Sequence, residues 1–190
     1  GLIALSACIQ GRVPKLIIED RYEEAKAHAL EMLEIFGEGN YYLEIQNHGI
    51  EEERIAAAGL IRMSRETGIP LAATNDAHYL TRSDAYAQDV LMCIQTGKKI
   101  DDPDRMHFEG SELYLKTEAE MRSLFPDCPE AFDNTNVIAE KCSLNFEFGH
   151  YHLPEFRLPE GETDPAQYLR KLCQKGMLRK YGGGREGVKK

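Results

Sequence analysis

Apolar and polar positions change rhythm several times along this chain. Leu2 to Ile9 is a nearly unbroken apolar run of strand length. Tyr22 to Phe36 instead places Tyr22, Ala25, Ala29, Met32, Leu33 and Phe36 at helical spacing, with Gly37 and Gly39 behind it. Tyr41 to Gln46 predicts a second strand, 51–67 a second helix closed by Gly68, and Pro70 to Thr74 a third strand. Thr81, with Asp84 three residues on, predicts the capped start of a third helix that runs to about Thr96 before Gly97. Strand and helix alternating with short loops is the pattern of a parallel α/β sheet or barrel.

After Gly97 the rhythm is lost. Lys99 to Gly110 is a charged excursion containing Pro103, and Glu112 to Lys116 is a short extended stretch. Thr117 with Glu120 opens a further helix, and Pro129 to Cys142 forms another. Leu153 to Gly161 carries two prolines and a glycine without any period, which predicts an extended linker. Asp164 then caps a helix that begins at Pro165 and is ended by Gly182 to Gly184. Its apolar stripe is Leu169, Leu172, Cys173 and Met177, and its basic residues are Arg170, Lys171, Lys175, Arg179 and Lys180.

Composition narrows the class. The chain has 190 residues, 42% hydrophobic and 29% charged, inside the globular range, and no apolar run approaches the ~18 residues that cross a bilayer. Gly1 leads straight into a strand-like run without an initiator Met or a leader, so a segment of a longer protein is expected. Five widely spaced cysteines without a CxxC pair fit free thiols in a reducing cytoplasm. The net charge of −9 is unevenly spread: 1–100 carry −5, 101–163 carry −10, and 164–190 carry +6. That asymmetry places a boundary near 160.

Parallel α/β folds gather reactive side chains at the C-terminal ends of their strands. Three such ends are candidates here: Ser6-Ala7-Cys8, Glu44-Ile45-Gln46-Asn47-His48 and Thr74-Asn75-Asp76-Ala77-His78-Tyr79. In extended backbone, Asp76 and His78 would share one face about 6 to 7 Å apart, a separation suited to one metal ion or two neighbouring ones. A Cys8 thiolate beside them would favour zinc over magnesium. The plainer alternatives are a surface turn for Asp76 and His78, a small core residue for Cys8, and turn chemistry for His48 beside Gly49. His150-x-His152 has ligand-like spacing but adjoins the proline linker, and Cys93 sits among apolar helix neighbours as a core residue would. Gln95-Thr96-Gly97-Lys98-Lys99 lacks the earlier glycine and the preceding strand of a phosphate loop, which excludes one.

Leu5-Ser6-Ala7-Cys8, Tyr42 to Gly49, Thr74 to Tyr79 and Ile94 to Lys98 resemble, in this order, the bacterial replicative DNA polymerase III alpha-subunit family. Leu124 to Ala131, Ile138 to Cys142 and Tyr151 to Phe156 continue the resemblance, which covers residues 1 to about 181. It implies an α/β fold, part of a distorted seven-stranded (β/α) barrel of the polymerase and histidinol phosphatase (PHP) type, followed by a linker and a helix of the palm domain. The implied domains are the C-terminal part of the PHP domain at 1–152, the linker at 153–163 and the start of the palm at 164–190. Cys8, Asp76 and His78 fall on the last three positions of a PHP metal-ligand set that can hold up to three ions. The remaining ligands and the palm aspartates have no counterpart in these 190 residues. The implied cofactors are zinc or another divalent metal, manganese included, at the PHP site, and magnesium for the polymerase.

The resemblance further implies template-directed DNA synthesis by the full-length subunit, with DNA and dNTPs as substrates. It implies the sliding clamp, the proofreading exonuclease and the clamp loader as partners, no membrane, and a cytoplasmic location. The PHP portion would carry part of a site for 3′–5′ exonuclease or phosphoesterase chemistry, and the 190 residues alone are expected to be inactive. Two alternatives stand beside this. The PHP portion would be a non-catalytic scaffold docking the palm or the proofreading exonuclease, or the chain would be a stand-alone PHP phosphatase, against which the extension 153–181 argues. No nucleic-acid-binding residue is assigned, and on charge alone the basic helix 164–181 is a solvated face before it is a DNA contact.

Overall fold

The protein is described by a computed structural model that covers residues 1–182. Gly183 and Gly184, and the last residues of the expected palm segment, lie outside the described residues. Gly1–Leu144 form one compact unit, and the described residues from Asn145 on form another.

The first unit is built on a short parallel sheet in the order β1 (Ala4–Leu5), β2 (Tyr41–Ile45), β3 (Leu71–Ala73). Ala4 is in register with Tyr41 on one side of β2, and Leu43, Glu44 and Ile45 are in register with Leu71, Ala72 and Ala73 on the other. β2 lies between its neighbours and buries residues of both faces, as parallel sheets covered on each side do. Tyr41, Leu43 and Ile45 join the main core, while Tyr42 and Glu44 face the other way.

Three helices pack against the sheet to build that core. α2 (Tyr22–Phe36) buries Ala25 and Ala29, and Tyr22, Met32, Leu33 and Phe36 pack beside them, which is the stripe expected from the sequence. α3 (Glu51–Thr67) buries Ala56, Ala57, Leu60 and Met63, and ends where Gly68 enters the left-handed region at φ +76° and its N–H reaches Ser64 O. α1 (Arg12–Ile18), for which the sequence reading has no element, buries Val13, Pro14, Leu16 and Ile17. Its seven residues are too few to show a period. Pro14 reads as a breaker, yet it sits in the first turn, where no intrahelical N–H bond is lost.

A 3₁₀ turn at Arg82–Asp84 leads into α4 (Ala85–Thr96), with the Thr81–Asp84 capping box formed and Gly97 left-handed at the far end. α5 (Glu118–Leu124) carries the Thr117–Glu120 capping box. α6 (Pro129–Lys141) packs against β3 and contributes Ala131 and Phe132 to the core. The extended stretch before α5 meets the chain after β3 through a parallel bridge between Tyr79 and Tyr114.

The second unit holds α7 (Pro165–Tyr181), whose first N–H groups at Ala166 and Gln167 are accepted by Asp164 Oδ1 at 2.8 and 3.3 Å. No side chain of α7 is buried, so the stripe of Leu169, Leu172 and Met177 is exposed. The first unit closes at Leu144, and the sequence pattern places its boundary after 152. Residues 142–157 have neither regular structure nor a buried side chain. Among the described residues no helix is long and apolar enough to cross a membrane.

Candidate functional site

The three strand ends converge, though by other backbone routes than the sequence suggests. The expected strand 2–9 is paired only at Ala4–Leu5, and Ser6 N–H still reaches Tyr42 O at 3.0 Å. Ala7 then takes φ +66°, and the Cys8 carbonyl accepts the Gly11 N–H at 2.7 Å. The chain therefore turns sharply into α1 and leaves Cys8 as a half-buried free thiol. After β3, Thr74 N–H reaches Ile45 O, and Asp76 adopts φ +47°. Asp76 and His78 thus do not lie in extended backbone as expected. The left-handed bend, a conformation Asp visits more readily than most residues, still leaves His78 Nε2 3.5 Å from Asp76 Oδ1. The His78 ring packs against Phe108 with centroids 4.6 Å apart.

Behind these ends runs a row of polar side chains that ties the strands together. Ser6 Oγ accepts from Glu44 N–H at 2.8 Å, and Thr74 Oγ1 donates to Glu44 Oε1 at 2.5 Å. Gln46 Nε2 donates to Thr74 Oγ1 at 2.9 Å. In front lies an open cleft of about 560 Å³, lined among others by Cys8, Gln46, His48, Glu53, Asp76 and His107. Cys8 and Asp76 therefore share one cavity, and His78, which is not part of its lining, contacts Asp76 and the lining Phe108.

His48, for which a turn role is the plainer sequence reading, instead tucks its side chain, 8% exposed, against that of Glu53 at 7%. Its Nδ1 is 2.7 Å from Glu53 Oε1, its Nε2 is 2.5 Å from the Asn75 carbonyl, and its backbone N–H donates to Glu53 Oε2. Burial disfavours a charged imidazole here, but the bonds to Glu53 and Asn75 outweigh it and raise the pKa of His48. Asn75 also donates to Tyr114 O at 2.7 Å and accepts from Lys116 Nζ at 3.3 Å. Burial pushes the Lys116 ammonium below its usual range. Glu53 and Lys116 escape sequence reasoning, although three glutamates at the start of α3 are a signal that one can fold back over the helix start.

Thiol, carboxylate and imidazole are donors that zinc accepts, so Cys8, Asp76 and His78 fit a metal ion in kind. They are not drawn together closely enough to hold one. Among the described residues no group of three His, Cys, Asp or Glu side chains stands close enough to hold one. His150 and His152 lie in the second unit with ring centroids 5.2 Å apart, both exposed.

The PHP domain family matches residues 1–48, which include Cys8 and the first two strands but stop short of Asp76 and His78. DNA polymerase III subunit alpha of Borreliella burgdorferi is 43% identical over 182 residues, 95% of this chain and 16% of the relative. The Thermus aquaticus subunit is 43% identical over 187 residues, 95% of the chain and 15% of the relative. That of Treponema pallidum is 39% identical over 189 residues, 100% of the chain and 16% of the relative.

The chain belongs to the DNA polymerase III alpha-subunit family. It spans about one sixth of the length of the curated polymerase III alpha subunits it matches. The match runs through both compact units of this polymerase III alpha segment, so the cleft of the first and the basic helix of the second are parts of the same family sequence.

Proposed function

We propose that this chain acts as a portion of a bacterial replicative DNA polymerase, residues 1–152 contributing to a seven-stranded PHP barrel, 153–163 a linker, and 164–190 the start of the palm. The observation that carries the reading is 43% identity to polymerase III alpha subunits over 95% of the chain. Template-directed synthesis from dNTPs, magnesium dependence, the clamp, clamp-loader and exonuclease partners and a cytoplasmic location come with that assignment.

Within it, Cys8, Asp76 and His78 are donors to a divalent-metal site, zinc or manganese, completed by ligands from elsewhere in the polymerase. The cleft supports this electrostatically. Glu52, Asp76 and Glu109 line it, and bound cations would reverse the field that such carboxylates set against an anionic phosphodiester. Such ions would supply Lewis-acid polarisation of a phosphoester and a water of lowered pKa. The residues of this chain hold the geometry: the Ser6–Glu44–Thr74–Gln46 row aligns the strand ends, and the bend at Asp76 turns its carboxylate into the cleft.

A second reading is favoured by the pairing of Asp76 with His78, which gives each a partner without a metal. Here the PHP portion is a scaffold that steadies the palm. Replacing Cys8, Asp76 and His78 together by Ala in a full-length subunit carrying this segment separates the two. Loss of bound metal and of 3′-mismatch hydrolysis, with melting temperature and primer extension retained, supports the metal site. Joint loss of melting temperature and primer extension supports the scaffold, and a wild-type subunit that extends no primer overturns the polymerase assignment.

A further inference from the structure

The hydrogen bonds around His48 require a proton that ordinary ionisation states would not provide. The Asn75 carbonyl oxygen can only accept, so its 2.5 Å contact with His48 Nε2 needs a proton on Nε2. Glu53 Oε2 already accepts the His48 backbone N–H. With that nitrogen protonated, a neutral imidazole would point the Nδ1 lone pair at an oxygen of an ionised carboxylate 2.7 Å away. Neither tautomer of a neutral imidazole satisfies both contacts beside an ionised Glu53. The buried pair must hold one extra proton.

We infer that His48 keeps this proton through the neutral range, as an imidazolium on an ionised Glu53, and works as a proton-dependent clamp on the bend after β3, fixing where Asp76 enters the cleft. His48 and Glu53 are positioning residues in this arrangement. They act through Asn75, whose carbonyl takes the imidazole N–H and whose side chain joins Tyr114 O and Lys116. The inference holds whether or not the cleft takes a metal.

Other charges bear on the clamp. From α3 it faces Glu53, with Glu52 at the cleft wall; from the stretch before α5 it faces Lys116, whose ammonium opposes a second positive charge. The same cleft carries Cys8 after β1, Asp76 after β3, and His107 and Glu109 from the loop after α4. The outcome agrees with the raised pKa of His48, in which burial and Lys116 are overcome by Glu53 and the Asn75 carbonyl. A raised imidazole pKa stabilises the fold fully below the unfolded value near 6.5, and that contribution disappears as pH rises through the folded value.

Side-chain ¹⁵N–¹H correlation spectra of the full chain at pH 7.5, paired with urea unfolding from pH 6 to 9, test the clamp. The wild type is expected to show both His48 nitrogens protonated and a urea midpoint that falls toward high pH. In Glu53→Gln, the amide oxygen accepts the His48 backbone N–H and the amide nitrogen donates to Nδ1, so all contacts are met by a neutral Nε2–H imidazole. That variant should show the single tautomer and lose the alkaline decline. A neutral His48 in the wild type at pH 7.5, or an unchanged alkaline decline in Glu53→Gln, overturns the inference. The wild-type spectrum decides alone should the variant not fold.

Discussion

Asn134, in the middle of α6, donates its side-chain N–H to the backbone carbonyl of Leu71 at 2.7 Å. The bond spans 63 residues of sequence and falls on β3, at the end of the strand order. An unpaired edge leaves carbonyl groups without partners, and α6 supplies one here while burying Ala131 and Phe132 against the core. Asn134→Ala would leave the Leu71 carbonyl unsatisfied, at a cost of about 1 to 3 kcal/mol. Asn134→Asp should be worse at neutral pH, because a carboxylate would face that carbonyl. Urea unfolding of the two variants checks the order, and an Asp variant as stable as wild type would remove the bond from the account.

Leu43 on β2 is 0% exposed and sits in the core between the sheet and its helices. Leu43→Ala is expected to cost about 2 to 5 kcal/mol through lost burial and the cavity left behind. Leu30 on α2 is 43% exposed, and its replacement by Ala should change stability by about 0.5 kcal/mol or less. Chemical denaturation of both reads the contrast directly. Equal effects would mean that β2 is not the centre of this core.

These elements also show what was legible beforehand. The bounds of α2 and α3 follow from their apolar spacing and the glycines after them, and the shared cleft of Cys8 and Asp76 follows from parallel topology. The α1 helix is hidden by its length and by Pro14. The turn at Ala7 is hidden because Ala gives no hint of a positive φ, which here cuts the first strand to two residues. His48 looks like turn chemistry because its partners, Glu53 and Asn75, are set by how α3 folds back and where β3 ends. Local pattern carries the elements, whereas buried polar contacts depend on tertiary placement.

Glu66 on α3 accepts from Lys26 Nζ at 2.7 Å, Arg62 Nε at 2.7 Å and Tyr22 Oη at 3.1 Å, tying α2 to α3. The bonds from Lys26 and Arg62 hold its carboxyl at about 2, below the ordinary 4.5. A carboxylate with a lower pKa folded than unfolded stabilises the fold above the unfolded value, and that contribution is lost as pH falls from 4.5 through about 2. Glu66→Gln should therefore lower stability at pH 7 and flatten its decline between pH 5 and 2. Urea midpoints across that range test it, with an unchanged acid slope counting against the linkage.

Gly11 has an ordinary backbone, φ −65° and ψ 152°, so any residue could adopt it. What excludes a side chain is space. A Cβ there would lie 2.3 Å from the Ser6 carbonyl oxygen and 3.1 Å from that of Cys8, both backbone atoms of the turn that carries the thiol. Gly11→Ala must move that turn, and since Gly11 also donates to Cys8 O, the shift reaches Cys8 itself. Gly176, inside α7, has open space around its Cβ position, and there Ala should stabilise the helix by about 0.5 to 1 kcal/mol. The same substitution is thus expected to act with opposite signs at the two positions: a lower melting temperature and faster alkylation of Cys8 for Gly11→Ala, and greater helicity for Gly176→Ala. Thermal unfolding, circular dichroism and mass-resolved thiol labelling distinguish them. An unchanged melting temperature and labelling rate in Gly11→Ala would show that the turn relaxes without consequence for the cleft.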